Sequence, residues 1–419
     1  MKLTVVGAGS TYTPELIEGL VRRPELSLDE VVLHDIDADR LNIVGDLAQR
    51  MVSAAGWGGR LVVTTDRHRA VEGANAVLLQ LRVGGQAARL KDETLPLPFD
   101  RIGQETTGPG GFLKALRTVP VVLEIADEVR RNAAPDAWIV DFTNPVGIVT
   151  RALLDAGHRA VGLCNVAIGF QRRLAALLQV EPGRVQLDHV GLNHLSWIRA
   201  VRVDGQDRLP QLITEFGDEL AEEVEIPVAA IRALGAIPSY YLHYFYCEHE
   251  ALENMRHGPK RAEEVMAIER ELLEMYRNPA LVTKPALLEQ RGGAFYSEAA
   301  AQLVQSLFAD TGDVQVVDVR NAGAVPGLPD DAVVEVPCII DREGAHPLAQ
   351  PPLAPEMLGL VQHVTAYETL AAEAAVSGDR RTALRALLAN PLVREWETSS
   401  ELLAVMLDAN LADLPDYWS

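Results

Sequence analysis

Residues 3–21 read LTVVGAGSTYTPELIEGLV, and the fold follows from how that stretch divides. Leu3–Gly7 is a continuous apolar run, partly β-branched and of strand length. Gly7-Ala8-Gly9-Ser10-Thr11-Tyr12 is a glycine turn, and Pro14 opens a helix running to Val21, because proline suits a first helical turn. Strand, glycine turn and helix together open a dinucleotide-binding unit. The first glycine permits the tight turn, the second lets the backbone approach a pyrophosphate, and the helix N-terminus receives its charge. Tyr12 stands where the usual third glycine would be. The next strand, Val31–His34, ends at Asp35, an acid able to accept both ribose hydroxyls of NAD while repelling the extra phosphate of NADP. Gly7, Gly9, Ser10, Thr11, Tyr12 and Asp35 are therefore the candidate NAD contacts.

Working outward, a helix is expected over roughly residues 37–54 and a short strand at 62–65. Ala76–Leu81 reads as a strand, Thr118–Arg131 as a helix, and Trp138–Phe142 and Ala160–Leu163 as strands. Strands alternating with helices imply right-handed crossovers and an α/β, Rossmann-type, doubly wound parallel sheet. Ligands of such sheets bind beyond the carboxyl ends of the strands, which here carry Gly7–Tyr12, Asp35, Arg82, Asn144 and Cys164. After about residue 165 the pattern becomes mixed. Helix Phe170–Leu178 is followed by strands Gln186–Leu192 and Leu195–Val203 around the polar Asn193-His194. A long helical segment is expected from Ser239 to about Glu250 and another over Ala262–Tyr276. Strands follow at Val314–Val319 and Val333–Ile340, and the last 65 residues look helical. This places one domain at residues 1–165 and a mixed α+β domain at 166–419.

Composition sets outer bounds. The chain has 419 residues, with 38 Lys+Arg against 59 Asp+Glu, a net charge of −21. Nucleic acid and anionic membrane surfaces are thereby excluded as partners, since both want a basic face. A small anionic ligand is not excluded, because it needs only a local pocket. The three cysteines, Cys164, Cys247 and Cys338, are odd in number and far apart, which fits a reducing, cytoplasmic setting better than a disulfide framework. No apolar run approaches ~18 residues, so no membrane span is expected. The start, MKLTVVGAGS, is a poor signal peptide.

Five stretches then occur in order: GQETTGPGG at 103–111, FTNPVG at 142–147, GLCN at 162–165, GLNHLSW at 191–197 and SYYLHYFY at 239–246. Together with GAGSTYTPEL and with RGGAFYSEAA at 291–300, they resemble glycoside hydrolase family 4, the NAD- and metal-dependent glycosidases, most closely its 6-phospho-β-glucosidases. The resemblance covers nearly the whole chain. It implies a fold like lactate and malate dehydrogenase, with NAD in the first domain and metal, substrate and oligomer contacts (dimer or tetramer) in the second. It also implies hydrolysis through transient oxidation at C3 of a phosphorylated sugar, C2 deprotonation, elimination at C1 and addition of water. The two-carboxylate mechanism of most glycosidases does not apply to this group.

Residue roles follow from the match. By residue type alone Cys164 reads as a buried structural cysteine and His194 as a structural histidine. The resemblance makes them the two ligands of a divalent metal, most naturally Mn²⁺, with open positions for substrate and water. Tyr241 matches the base that takes the C2 proton, with Tyr240 the adjacent alternative. A phenol titrates near ~10 and needs a cation nearby to act as a base. Asn165 stands where α-acting relatives carry Asp and β-acting ones Asn; an Asn can hydrogen-bond a leaving group but not protonate it. Asn144 is a candidate for a sugar hydroxyl or the nicotinamide ribose, and Arg89 for the substrate phosphate. Two departures stand out: His243 replaces a usual Arg, and Ala167 a usual Pro. His243 leaves room for a different phosphorylated or acidic sugar. A malate-type dehydrogenase on the same fold is the main competing expectation; it would need a His–Asp pair and arginine clamps, for which no motif is present.

Overall fold

The computed structural model describes residues 1–293 and 295–418. Ala294, inside the RGGAFYSEAA stretch, and Ser419 lie outside the described residues. Six strands form the first half: β1 (Lys2–Val6), β2 (Glu30–His34), β3 (Arg60–Thr64), β4 (Ala76–Leu79), β5 (Trp138–Asp141) and β6 (Ala160–Gly162). All are paired in parallel, in the order β3-β2-β1-β4-β5-β6. That order is the doubly wound one, with its switch point between β1 and β4, so the glycine turn after β1 lies at the crevice. The strands are continuously apolar because helices cover both faces; β4 and β5 are buried throughout.

The second half supplies β7 (Val185–Leu192), β8 (Leu195–Val203), β9 (Gln206–Asp207), β10 (Ile237–Pro238), β11 (Asp313–Arg320), β12 (Val333–Asp341) and β13 (Gly344–Pro347). These do not build a separate sheet. β11 pairs antiparallel with β6, and the order continues β11-β12-β7-β8-β10, giving one sheet of thirteen strands with β9 and β13 at its margin. Pairing with β11 covers the edge that β6 would otherwise expose. The seam is narrow: Asp318 faces Gly162, and one strand further on Glu335 faces Gly191. One apolar core runs beneath both halves, from Leu3 and Val5 to Trp197 and Trp418.

Most of the expected elements form within a residue or two of their expected ends. Two differ substantively. The expected long helix at 239–250 is instead a 3₁₀ turn, Tyr240–Leu242, then a short helix His243–Tyr246, then Glu248–His257 after a break at Cys247. Its aromatic rings pack in several directions, Tyr240 toward Phe170 and Tyr241 toward His194, which a straight helix with one buried face does not allow. The helix expected from Thr118 starts earlier, at Pro109, and runs to Asn132. Gly110 and Gly111 lie buried in its first turn behind a proline suited to that position. The C-terminal stretch is helical as expected, in helices Pro355–Ser377, Arg380–Ala389 and Trp396–Asn410.

Candidate active site

The glycine turn is built by close backbone approach. Gly7 has φ +89° and a side chain there would meet the Gln80 carbonyl at 2.7 Å, so only glycine fits. Gly7 and Ala8 N–H groups both donate to the His34 carbonyl at 2.9 Å, fixing the turn to the end of β2. Gly9 N–H donates to Asp35 Oδ2 at 2.8 Å, and a Cβ on Gly9 would press on that oxygen. Asp35 thus adjoins the turn, with Oδ1 accepting from Asp37 N–H at 3.0 Å. Tyr12, in place of the third glycine, buries its ring edge-on to Tyr296 and donates its hydroxyl to the Gly293 carbonyl.

A covering layer over the turn has no signature in the sequence. Helix Arg261–Tyr276 and the stretch after it close on residues 9–12. Tyr276 donates to the Thr11 carbonyl at 2.7 Å, Arg291 to Ser10 Oγ at 3.4 Å and Arg40 to the Gly9 carbonyl at 3.2 Å. Glu269 holds both arginines, at 3.2 Å and 3.1 Å. Two guanidinium groups therefore bring positive charge to the turn, in a chain that is acidic overall. The buried Thr11 hydroxyl has no hydrogen-bond partner among the described residues. Tight backbone approach, cationic charge, an open hydroxyl and an acid at the end of β2 together fit a dinucleotide.

Beyond β6 a second set of groups converges. Cys164 follows β6 directly and is buried, and burial, then the Glu335 carboxylate, push its thiol well above the usual value. His194 sits at the tip of the β7–β8 turn with φ +62°. Thr106 Oγ donates to Gln104 Oε1 at 2.7 Å and stands 2.8 Å from His194 Nδ1. The Thr106 hydroxyl thus holds the Nδ1 edge of the His194 ring, leaving Nε2 as the nitrogen not engaged in that contact. Burial lowers the His194 pKa to about 3, so the imidazole is neutral, as a metal ligand must be. Tyr241 stacks flat on this ring, centroids 3.6 Å apart and 11° from parallel. Burial, then Tyr240 and Cys164, hold its phenol well above the ordinary value. His194 thus borders Tyr241, and the charge on Cys164 acts on the same phenol. Among the described residues no cluster of three or more His, Cys, Asp or Glu forms a complete metal cage. A thiol and a neutral imidazole fit an open, two-ligand transition-metal site.

Next to them lies a cationic cluster around Glu105. Arg82 grips Glu105 with both terminal nitrogens, at 3.0 and 3.2 Å. Lys114 bonds its Oε2, and Arg89 stands 3.6 Å from Oε1. Burial alone would raise Glu105, but Arg82, Lys114 and Arg89 hold its carboxyl well below the usual range. Burial and then Arg82 bring the Lys114 ammonium down to about 7. Three cations share Glu105, with Glu93 also accepting from Arg89 at 2.7 Å. In the sequence Arg82 stands out only as a strand end and Glu105 only as part of GQETTGPGG, with no role assigned, while Lys114 does not stand out; a Glu and a Lys nine residues apart carry no local signature.

Asn144 precedes Pro145 at the end of β5, and its Oδ1 is buried without a protein partner among the described residues. Asn165 caps the helix Val166–Leu178, its Oδ1 4.0 Å from the Cys164 sulfur. His243 turns toward the Glu225 backbone and side chain. Its Nδ1 lies 2.6 Å from the Glu225 carbonyl and its Nε2 3.8 Å from the Glu225 carboxylate.

Comparison with known proteins agrees with this geometry. Residues 2–180 match the family model described as family 4 glycosyl hydrolase, and residues 189–393 match its C-terminal domain. A Bacillus subtilis protein named "Probable 6-phospho-beta-glucosidase" is 42% identical over 100% of this chain and 98% of its own length. The Thermotoga maritima 6-phospho-β-glucosidase, solved with NAD and glucose-6-phosphate, superposes with TM-score 0.93 at 37% identity, covering 99% of each chain. The same enzyme has been solved with manganese, NAD⁺ and glucose-6-phosphate. A malate dehydrogenase from Salinibacter ruber, 18% identical, shares the fold with TM-score 0.54 over 91% of this chain and 99% of its own. The convergence of glycine turn, thiol–imidazole pair and stacked tyrosine, with matches spanning both halves, makes this chain a member of glycoside hydrolase family 4.

Proposed function

We propose that this chain is an NAD- and Mn²⁺-dependent 6-phospho-β-glucosidase, hydrolysing phosphorylated β-linked glucosides in the cytoplasm as a homo-oligomer. The full-length relatedness to enzymes of that name supports the activity. The nucleotide lies mainly on residues 1–165 and the subunit contacts on 166–419, while the metal and sugar site is shared: Cys164, Arg89, Asn144 and Asn165 come from the first part and His194 and Tyr241 from the second. The observation that carries the reading is the flat stacking of Tyr241 on His194, the residue at the tip of the β7–β8 turn. Tyr240 turns instead toward Phe170, with ring centroids 6.2 Å apart, which supports Tyr241 as the base.

When bound, NAD supplies a hydride acceptor for C3 of the sugar, and a divalent cation supplies positive charge beside the C2 and C3 oxygens. The glycine turn Gly7–Tyr12, with Asp35, positions the nucleotide. Cys164 and His194 hold the metal. Once C3 is a ketone the C2 proton is acidic, and Tyr241 Oη removes it; the group on C1 leaves, water adds to the alkene, and the steps reverse. In the buried pocket Tyr241 is a weak acid, so it acts as a base only when a cation lowers its pKa. Asn144, with an unpaired buried oxygen, accepts from a hydroxyl of the sugar or ribose. Asn165 hydrogen-bonds near the leaving group. Arg89, already charged and half-satisfied by Glu93 and Glu105, contributes to the pocket for the 6-phosphate.

The test uses p-nitrophenyl β-glucoside 6-phosphate with NAD, Mn²⁺ and a reductant. Hydrolysis without net NADH is expected, and it should stop when the metal is chelated or NAD is stripped from the protein. NADH accumulating in step with substrate loss would instead establish a dehydrogenase of the malate type.

A further inference from the structure

The β7–β8 turn that presents His194 is held by a carboxylate from a different strand. Glu335, at the middle of β12, is buried and accepts from His189 Nε2 at 2.7 Å, from Asn193 Nδ2 at 3.1 Å and from Ser196 Oγ at 3.5 Å. All three donors lie on one hairpin: His189 on the strand entering the turn, Asn193 at its tip and Ser196 on the strand leaving it. Among the described residues its only ion-pair partner is His189; no lysine or arginine compensates it. A buried carboxylate satisfied in this way adds little net stability compared with an apolar side chain, so its place in the core calls for another purpose.

The turn gives that purpose. His194 occupies the left-handed region, where a non-glycine residue is held only if its surroundings fix it. Asn193 is the preceding residue. Its side-chain amide donates to Glu335, so the residue next to His194 is anchored to β12. Cys164 and His194 come from elements far apart in the chain and share no direct tie. Cys164 lies just beyond β6, and β12, which carries Glu335, stands two strands away in the same sheet, so the bonds from Glu335 hold the His194 turn against the part of the sheet from which Cys164 comes.

We propose that Glu335 is a positioning residue, acting through Asn193 to set the spacing of Cys164 and His194 as a metal pair. It touches neither substrate nor metal. The inference rests on the reading of those two residues as the metal ligands, and the test separates the two. Full-length native protein, Glu335→Gln, Asn193→Ala and Cys164→Ser are titrated with Mn²⁺ by calorimetry. The same four are titrated anaerobically with Co²⁺, following the thiolate-to-cobalt absorption, and their NAD affinity is measured in parallel. Outer partners of metal ligands typically govern affinity by about 10–100-fold. Glu335→Gln and Asn193→Ala should therefore each weaken Mn²⁺ by ~10–100-fold and diminish the cobalt band, with NAD affinity unchanged. Native Mn²⁺ affinity in both variants, while Cys164→Ser loses it, would overturn the proposal alone. Native affinity in Cys164→Ser would overturn the metal pair and the proposal with it. A parallel loss of NAD affinity would make Glu335 a general structural residue. If Glu335→Gln does not fold, Asn193→Ala, which leaves the carboxylate and its histidine in place, decides the matter.

Discussion

The glycine turn is built from six consecutive residues whose main chain packs closely against β2 and β4, whereas at Cys164 the groups are side chains delivered from separate places. β6 leads to the thiol, the β7–β8 turn brings the imidazole, a 3₁₀ turn at Tyr240–Leu242 the phenol, and β12 the buried carboxylate that anchors the imidazole's turn. The first site depends on backbone clearance and on a helix N-terminus, both local properties. The second depends on the mutual placement of four elements across an antiparallel sheet. Side-chain deletion should therefore harm the second site far more than the first, and steric intrusion should do the reverse.

The largest effect belongs to the phenol. Tyr241→Phe removes the proposed base and should lower kcat by ~10²–10⁴-fold with NAD affinity intact. Tyr240→Phe should cost much less; the opposite ranking, measured by steady-state kinetics, would move the base one residue. At the glycine turn the intrusion test is Gly9→Val. A side chain there meets the Asp35 carboxylate, and overpacking of about 1–3 kcal/mol corresponds to roughly 5- to 150-fold weaker NAD binding, readable by fluorescence titration, with Mn²⁺ affinity preserved. Arg89→Met separates phosphate binding from nucleotide binding. Loss of a charged hydrogen bond of about 1.5–3 kcal/mol should appear mainly in KM for the phosphorylated substrate, with no equivalent change in NAD affinity.

The smallest effect lies at the seam between the halves. Burial raises Asp141 on β5 and Glu368 on helix Pro355–Ser377, each to about 8. In the folded chain both hold a proton that the unfolded chain releases near its ordinary carboxylate pKa. Between about pH 4 and 8 the folded state thus binds more protons, and stability falls as pH rises through that window. A Tm that declines from pH 5 to 8, and a shallower decline in Glu368→Gln, is the expected pattern in thermal scans.

The two sites also differ in how far the sequence discloses them. Strand LTVVG, its glycines, Pro14 and Asp35 are contiguous or one strand apart, so each carries its structural reason locally, and the parallel half forms as expected. The antiparallel half shares one sheet with it through a seam at Gly162 and Asp318, which no local pattern announces. Cys164 and His194 by residue type alone read as ordinary core residues; only the family motifs single them out. Lys114 and Glu335 escape a sequence reading, and Glu105 and Asn193 appear in it only as motif letters without roles, because their meaning lies in partners distant in the chain or across strands. The aromatic stretch 239–246 misleads for a related reason. Its spacing is compatible with a helix, but its rings must serve Phe170, His194 and Trp197 in different directions, and the backbone breaks to let them.

Catalysis as proposed turns on Tyr241, stacked on His194, removing the proton from C2 of the sugar. Hydrolysis of p-nitrophenyl β-glucoside 6-phosphate in D₂O, with NAD and Mn²⁺ present, reports on that step. Deuterium is expected at C2 of the glucose-6-phosphate product by NMR or mass spectrometry, in native protein and not in residual turnover by Tyr241→Phe. Product that retains protium at C2 throughout native turnover would contradict a C2 proton abstraction by Tyr241.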